Sequence, residues 1–136
     1  GDADRAFEYL ISQSNVDVSR VGVGGASCGG MISADLAARE GTRVKALMLL
    51  SSPPSSNAIE HVANNPKLAV FAAATKQDPI TRGVAGALES MVNSSANPGS
   101  VIRIFEGREH GLPMFSSNPT LQTELLAWLK EQLLSK

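Results

Sequence analysis

A serine at position 27 stands in Gly25-Ala26-Ser27-Cys28-Gly29-Gly30, with glycines two residues before and after it. A serine hydroxyl is a poor nucleophile at neutral pH and gains strength only beside a base. The chain has two histidines, His61 and His110, to supply one. His110 lies in the polar segment Glu106-Gly107-Arg108-Glu109-His110-Gly111, directly behind an apolar run at 101–105. His61 lies inside a short helical pattern and reads as a solvated helix residue. An imidazole acting as base needs a carboxylate to fix its tautomer and to stabilise the imidazolium. Asp78, in Thr75-Lys76-Gln77-Asp78-Pro79, follows another apolar run. Its plainer role is to cap a helix starting at Pro79, and both roles can hold together. Glu106 and Glu109 are the alternative carboxylates, although their place beside the histidine points them toward solvent. Together these residues are suited to nucleophilic acyl transfer.

Cys28 competes with Ser27, because a thiol is also a good nucleophile. Placing the turn on Cys28 would leave Ala26 and Gly30 as the small neighbours and would push the turn one residue further from the strand. Ser27 is therefore the preferred nucleophile. Cys28 becomes a small neighbour whose backbone N–H matters.

The elements that must carry these residues follow from hydrophobic patterning. Asp2 is a candidate N-cap for a helix ending near Ser14, with Ala3, Ala6, Phe7, Leu10 and Ile11 on one face. Residues 20–26 read as a strand rich in Val and Gly, and residues 28–40 as an Ala-rich helix closed by Gly41. Residues 44–50 form a nearly unbroken apolar run, as expected of a strand buried on both faces. A Ser/Pro loop, a short helix at 58–64 and a second buried strand at 67–74 come next. A helix is expected at 79–93 with Pro79 in its first turn, then a strand at 101–105. A final helix is expected at 119–134, with Leu121, Leu125, Leu129 and Leu133 along one face. Strand and helix thus alternate four times after an initial helix. This implies an α/β fold with a parallel sheet and helices on both faces, within a single domain over 1–136. Ligands in such sheets sit at the carboxyl ends of the strands, where Ser27, Asp78 and His110 all fall.

A serine in a tight strand-to-helix turn is held in a strained backbone conformation and needs small neighbours, which Gly25 and Gly29 provide. Gly30 would let the helix pack close to the strand. The helix that follows directs its N-terminal N–H groups toward an oxyanion formed there. The same Gly-rich turn admits a phosphate- or nucleotide-binding reading. Against it, Gly22-Val23-Gly24-Gly25-Ala26 is not a G-x-G-x-x-G that opens a helix, and no acidic residue ends the next strand.

Ser27, Asp78 and His110 come in the order nucleophile, acid, base, each behind a different parallel strand. This order resembles the α/β-hydrolase fold. Asn15-Val16-Asp17 before the first strand, Glu109-His110-Gly111 and Ala127-Trp128-Leu129 in the last helix extend the resemblance over the chain. The chain is most similar to the dienelactone-hydrolase-like and small serine esterase branch. Dienelactone hydrolases carry Cys at the nucleophile position, and Ser27 in its place points to ester hydrolysis. The resemblance implies a Ser27-His110-Asp78 triad with the Cys28 N–H as one oxyanion donor, acting on a small-molecule ester. It also implies that the chain corresponds to strands five to eight of an eight-stranded sheet. The first four strands, and the loop giving the second oxyanion donor, are then absent. A non-catalytic or partner-dependent fragment with an incomplete oxyanion hole therefore stays open. The short loop at 51–66, where this family often inserts a lid, implies an open site for small acyl groups. Ser51 and Ser52 at its start either line the pocket or form a plain polar loop. The elbow strand, 21–26, would present a free edge, to be covered by a second copy or by an N-terminal half.

Composition narrows the alternatives. A net charge of −1 and 4% aromatic residues offer neither a basic footprint nor a stacking platform for nucleic acid. No apolar run approaches the roughly 18 residues that span a bilayer. Cys28 is the single cysteine, so an internal disulfide and a thiolate metal cage are both excluded. No cofactor or metal is called for by these residues.

Overall fold

The computed structural model describes residues 1–135. The chain runs α1 (Asp2–Ser12), β1 (Val21–Ala26), α2 (Cys28–Glu40), a 3₁₀ turn (Gly41–Arg43) and β2 (Val44–Leu50). It continues α3 (Ser56–Asn64), β3 (Ala69–Thr75), α4 (Val84–Asn93), β4 (Val101–Phe105), α5 (Met114–Ser117) and α6 (Thr120–Leu134). The four strands form one parallel sheet in the order β1-β2-β3-β4. Each strand therefore pairs with its neighbour in sequence, and each return crosses the sheet through a helix.

Helices lie on both faces. On one face, Leu47 and Leu49 of β2 and Val70, Ala72 and Ala74 of β3 pack with Phe7, Leu36, Val62 and Leu88 from α1 to α4. On the other, Ala46, Leu50, Phe71 and Ala73 pack with Met114, Leu121 and Trp128 of α5 and α6. With apolar partners above and below, alternate residues cannot be polar, which is why β3 is buried at all seven positions. Trp128 anchors α6: it meets Phe71 edge-on with ring centroids 5.6 Å apart, and its indole N–H donates to the Gly99 carbonyl. The buried face of α6 is thus centred on Leu121 and Trp128. The expected row Leu125, Leu129 and Leu133 is only partly buried beside it, because the large indole claims the centre.

The fourth helix departs most from expectation. It begins at Val84, because Gly83 at φ 78° turns the chain out of helical geometry. The residues between Pro79 and Gly83 form a turn instead. β3 is also shifted by one to two residues, ending at Thr75.

The register sets the strand ends level. Ala26 of β1 pairs with Leu50, Leu50 with Ala73, and Thr75 with Phe105. The loops after β1, β2, β3 and β4 therefore leave from one edge of the sheet. At the side, β1 pairs only with β2 among the described residues. Beside its free edge lies an apolar groove of about 370 Å³, bounded by Phe7 and Leu10 of α1, Val23 of β1, and Ile32 and Leu36 of α2.

Candidate active site

Ser27 is one of two non-glycine residues with positive φ among the described residues, at φ 51° and ψ −123°. Its N–H continues the sheet by donating to the Leu50 carbonyl at 2.9 Å, and its carbonyl accepts from Met31 in the first turn of α2. The chain thus passes from strand to helix across this one residue. The strain falls on Ser27, whereas Cys28 is already the first residue of α2, with an exposed side chain. The Ser27 hydroxyl does not cap its helix. The first N–H groups of α2, beginning at Cys28, have no helical carbonyl to reach and point toward the turn.

The space around the turn explains two of the glycines. A Cβ on Gly25 would stand 2.6 Å from the Gly29 carbonyl carbon and 2.8 Å from the Gly30 nitrogen. A Cβ on Gly30 would overlap the Ser52 side chain. Gly29 departs from expectation, for a Cβ there meets nothing within 4 Å. The tight approach lies between the end of β1 and the Gly29–Gly30 peptide, so the small side chain is needed at Gly30, the third residue after Ser27, where a Cβ would also stand 2.8 Å from the Gly25 carbonyl oxygen. Gly24 is needed inside the strand, where a Cβ would stand 2.7 Å from that of Met48.

Asp78 and His110 meet at this edge. The His110 Nδ1 lies 2.6 Å from Asp78 Oδ2, with the Asp78 side chain 1% exposed and the His110 side chain 14%. Asp78 does not cap α4, which starts six residues later. Its Oδ1 accepts instead from the Ile80 and Thr81 N–H groups at 2.8 and 3.1 Å, drawing the residues after Pro79 into a turn. Thr81 Oγ1 donates to Oδ2 at 2.7 Å. Burial alone would raise the Asp78 pKa. The hydrogen bonds from His110, Thr81 and Ile80 outweigh it and bring the pKa from 3.8 to about 2. Asp78 is thus an anion whose four bonds aim one oxygen at the imidazole. On the far side of the ring, His110 Nε2 is buried and has no hydrogen-bond partner.

The His110 loop reaches the end of β1, since a Cβ on Gly111 would stand 3.3 Å from that of Ala26, the residue before Ser27. The structure therefore brings the Asp78–His110 pair to the side of the Ser27 turn. No hydrogen bond joins Ser27 to His110.

The alternative groups lie elsewhere. Glu106 is exposed, paired with Lys76 at 2.6 Å and held by Gln77. Glu109 accepts from Ser117. His61 contacts Asn65 and lines a separate polar cleft of about 550 Å³ between α2 and α3, with Asp35 and Arg39. Among the described residues, no group of three or more His, Cys, Asp or Glu side chains is placed to hold a metal ion.

Two supporting residues, Thr81 and Thr75, escape a reading from sequence, and a third, Ser51, has a role the sequence did not suggest. Thr81 shares Asp78 Oδ2, Thr75 donates to the Glu109 carbonyl at 2.8 Å, and Ser51 accepts from the Gly111 N–H at 2.9 Å. Ser51 and Ser52 are both buried, so they neither line an open pocket nor form a solvated loop. Only Thr81 left a trace, as a threonine three residues after an aspartate, the spacing of a local cap.

The fold recurs in solved structures. A predicted CIB-like hydrolase from Thermoplasma acidophilum superposes with a TM-score of 0.67 at 16% identity, over 91% of this chain and 55% of its own. A thermostable esterase gives 0.65 at 20% identity, over 96% of this chain and 36% of its own. Est816, described as an N-acyl homoserine lactone degrading enzyme, gives 0.59 at 15% identity, over 92% of this chain and 72% of its own. The chain thus spans about half of the first of these proteins and about a third of the second. No curated protein sequence matches it. The model of the dienelactone hydrolase family matches residues 1–123, and with the parallel sheet this means that the chain belongs to the dienelactone hydrolase family.

Proposed function

We propose that the chain is the catalytic part of a serine hydrolase that cleaves carboxylic esters through an acyl-enzyme, with Ser27 as nucleophile, His110 as base and Asp78 as the group that orients it. The observation that carries this reading is the buried Asp78–His110 pair beside a serine held at positive φ. Asp78 Oδ2 accepts the hydrogen bond from Nδ1–H, which keeps the proton on Nδ1 and leaves the lone pair on Nε2, the atom without a partner.

In the first half-reaction the Ser27 Oγ attacks the ester carbonyl carbon and His110 Nε2 takes the hydroxyl proton. The carbonyl oxygen becomes an oxyanion, stabilised by the Cys28 N–H and the positive end of α2. The intermediate collapses, His110 returns the proton to the departing alcohol, and the acyl group stays on Ser27. In the second, water attacks the acyl carbon and gives its proton to His110. Collapse breaks the acyl–Oγ bond as His110 returns that proton to Ser27 Oγ, releasing the carboxylic acid and restoring both Ser27 and the neutral base. Gly24 packs against Met48 inside β1, which favours the hydrolase reading over a phosphate-binding loop.

A fluorophosphonate probe tests the reading, because it labels only a serine activated by its base. Labelling is expected at Ser27 and is expected to vanish in Ser27→Ala. Labelling that survives that substitution would refute the nucleophile.

A further inference from the structure

The base of this site hangs on a loop, and a loop residue ordinarily samples several φ/ψ wells. A base works only if its imidazole stays within a fraction of an ångström of the nucleophile. Asp78 fixes the ring at Nδ1, which orients the side chain, but it does not fix the backbone from which that side chain starts. Something else has to hold the Cα.

Two buried hydroxyls do so. The peptide plane before His110 presents the Glu109 carbonyl, which accepts from Thr75 Oγ1 at 2.8 Å. The plane after it presents the Gly111 N–H, which donates to Ser51 Oγ at 2.9 Å. Because a peptide unit is rigid, fixing the planes on both sides of a Cα fixes its φ and ψ, and with them the direction of Cα–Cβ. Both hydroxyls are rooted in the sheet: Thr75 is the last residue of β3, Ser51 directly follows β2, and both are fully buried. Gly111 is buried as well, so its N–H has no solvent to turn to. Ser51 is the second non-glycine residue with positive φ, at 54°. The two strained residues among those described are thus the serine at the elbow and the serine that holds the histidine loop, and backbone strain of this kind gathers at functional sites.

We infer that Thr75 and Ser51 are positioning residues that clamp the two peptide planes flanking His110 and so set the imidazole against Ser27. The inference rests on the assignment of His110 as base. Neither hydroxyl reaches the substrate. Their contribution is to kcat, through the placement of Nε2.

The test uses Thr75→Val, Thr75→Ser, Ser51→Gly and Ser51→Ala, compared with the parent chain and with Ser27→Ala. Turnover of a short-chain p-nitrophenyl ester gives kcat and KM. The downfield proton NMR signal of the His110 Nδ1–H reports the His–Asp pair independently of turnover. Thr75→Val keeps the shape and loses the hydroxyl. It is expected to lower kcat about 10²-fold with KM little changed, and to broaden or shift the downfield proton. Thr75→Ser restores the hydroxyl and is expected to restore both readouts. At Ser51, glycine relieves the positive φ whereas alanine keeps it. If Ser51 mattered only as a backbone corner, Ser51→Gly would match the parent. The clamp requires that Gly and Ala lose kcat alike, even where Gly melts at the higher temperature. Retention of kcat and of the downfield signal in Thr75→Val and Ser51→Gly would overturn the clamp. Turnover that survives Ser27→Ala would overturn the underlying triad instead. Should the parent chain be inactive, the downfield signal decides alone: present in the parent and Thr75→Ser but lost in a folded Thr75→Val supports the clamp, and unchanged in Thr75→Val refutes it.

Discussion

Asp78→Asn separates the roles of the carboxylate, because the four bonds it receives cannot all be kept by an amide. The carboxylate accepts twice at Oδ1, from Ile80 and Thr81 N–H, and twice at Oδ2, from His110 Nδ1 and Thr81 Oγ1. Asparagine has one accepting oxygen and one donating nitrogen. If the oxygen faces His110, the NH₂ group confronts two backbone donors, and each buried donor left unpaired costs about 1–3 kcal/mol. If the oxygen faces the backbone, the NH₂ faces His110 and Thr81, and both of these can accept. The threonine hydroxyl rotates, and the imidazole moves its proton from Nδ1 to Nε2. The second arrangement wins by a few kcal/mol, at the side chain's 1% exposure where no water can intervene. It leaves Nε2 protonated and unable to take the Ser27 proton.

The substitution should therefore leave the fold intact and lower kcat by about 10⁴, equivalent to about 5.5 kcal/mol of transition-state stabilisation. The assay is initial-rate turnover of a short-chain p-nitrophenyl ester, with circular dichroism to verify folding. A loss below tenfold in a folded protein would refute the reasoning. So would a silent Asp78→Asn beside a crippling Glu106→Gln, which would move the acid to the exposed carboxylate.

Three further outcomes are expected. The Asp78 pKa falls from 3.8 to about 2 on folding, so its charge stabilises the folded state above pH 3.8 and that contribution disappears as pH falls through 2. The stability gap between the parent and Asp78→Asn, from urea unfolding, should shrink by roughly 2 kcal/mol between pH 6 and pH 2, and a gap that does not change with pH would contradict the shift. Cys28→Ser and His61→Ala should each keep most of the activity, since the first contributes a backbone N–H and the second lies in a different cleft; a loss in Cys28→Ser equal to that of Ser27→Ala would make the thiol the nucleophile. Finally, β1 carries neither Lys nor Pro to discourage pairing, and the apolar groove beside it leaves Ile32 53% exposed. We expect a second copy or an N-terminal half to cover this edge, and light scattering coupled to gel filtration that finds a well-behaved, unaccompanied monomer at micromolar concentration would overturn that expectation.

What could be read from the sequence divides along a physical line. The buried strands were legible because helices on both faces force unbroken apolar runs such as 44–50, whose observed bounds are the same. The sharp turn at Ser27 was legible because a left-handed residue between strand and helix needs glycines nearby. Which glycines, however, depends on how closely the first turn of α2 approaches the ends of β1 and β2, and that contact sets the requirement at Gly30 and releases Gly29. The start of α4 was misread for a related reason. Asp-Pro is a good helix start in isolation, yet here the carboxylate is occupied by the next two N–H groups and by His110, and Gly83 delays the helix. The hydrogen bonds of the Ser51 and Thr75 hydroxyls left no pattern in the sequence. Serine and threonine bond to whichever backbone group lies opposite, and what lies opposite is decided by the register of β2, β3 and β4, fixed by pairs such as Leu50 with Ala73 and Thr75 with Phe105. A motif can therefore name the groups that would react, because their chemistry is local. The groups that hold them still belong to neighbouring strands, and only the assembled sheet brings those strands into line.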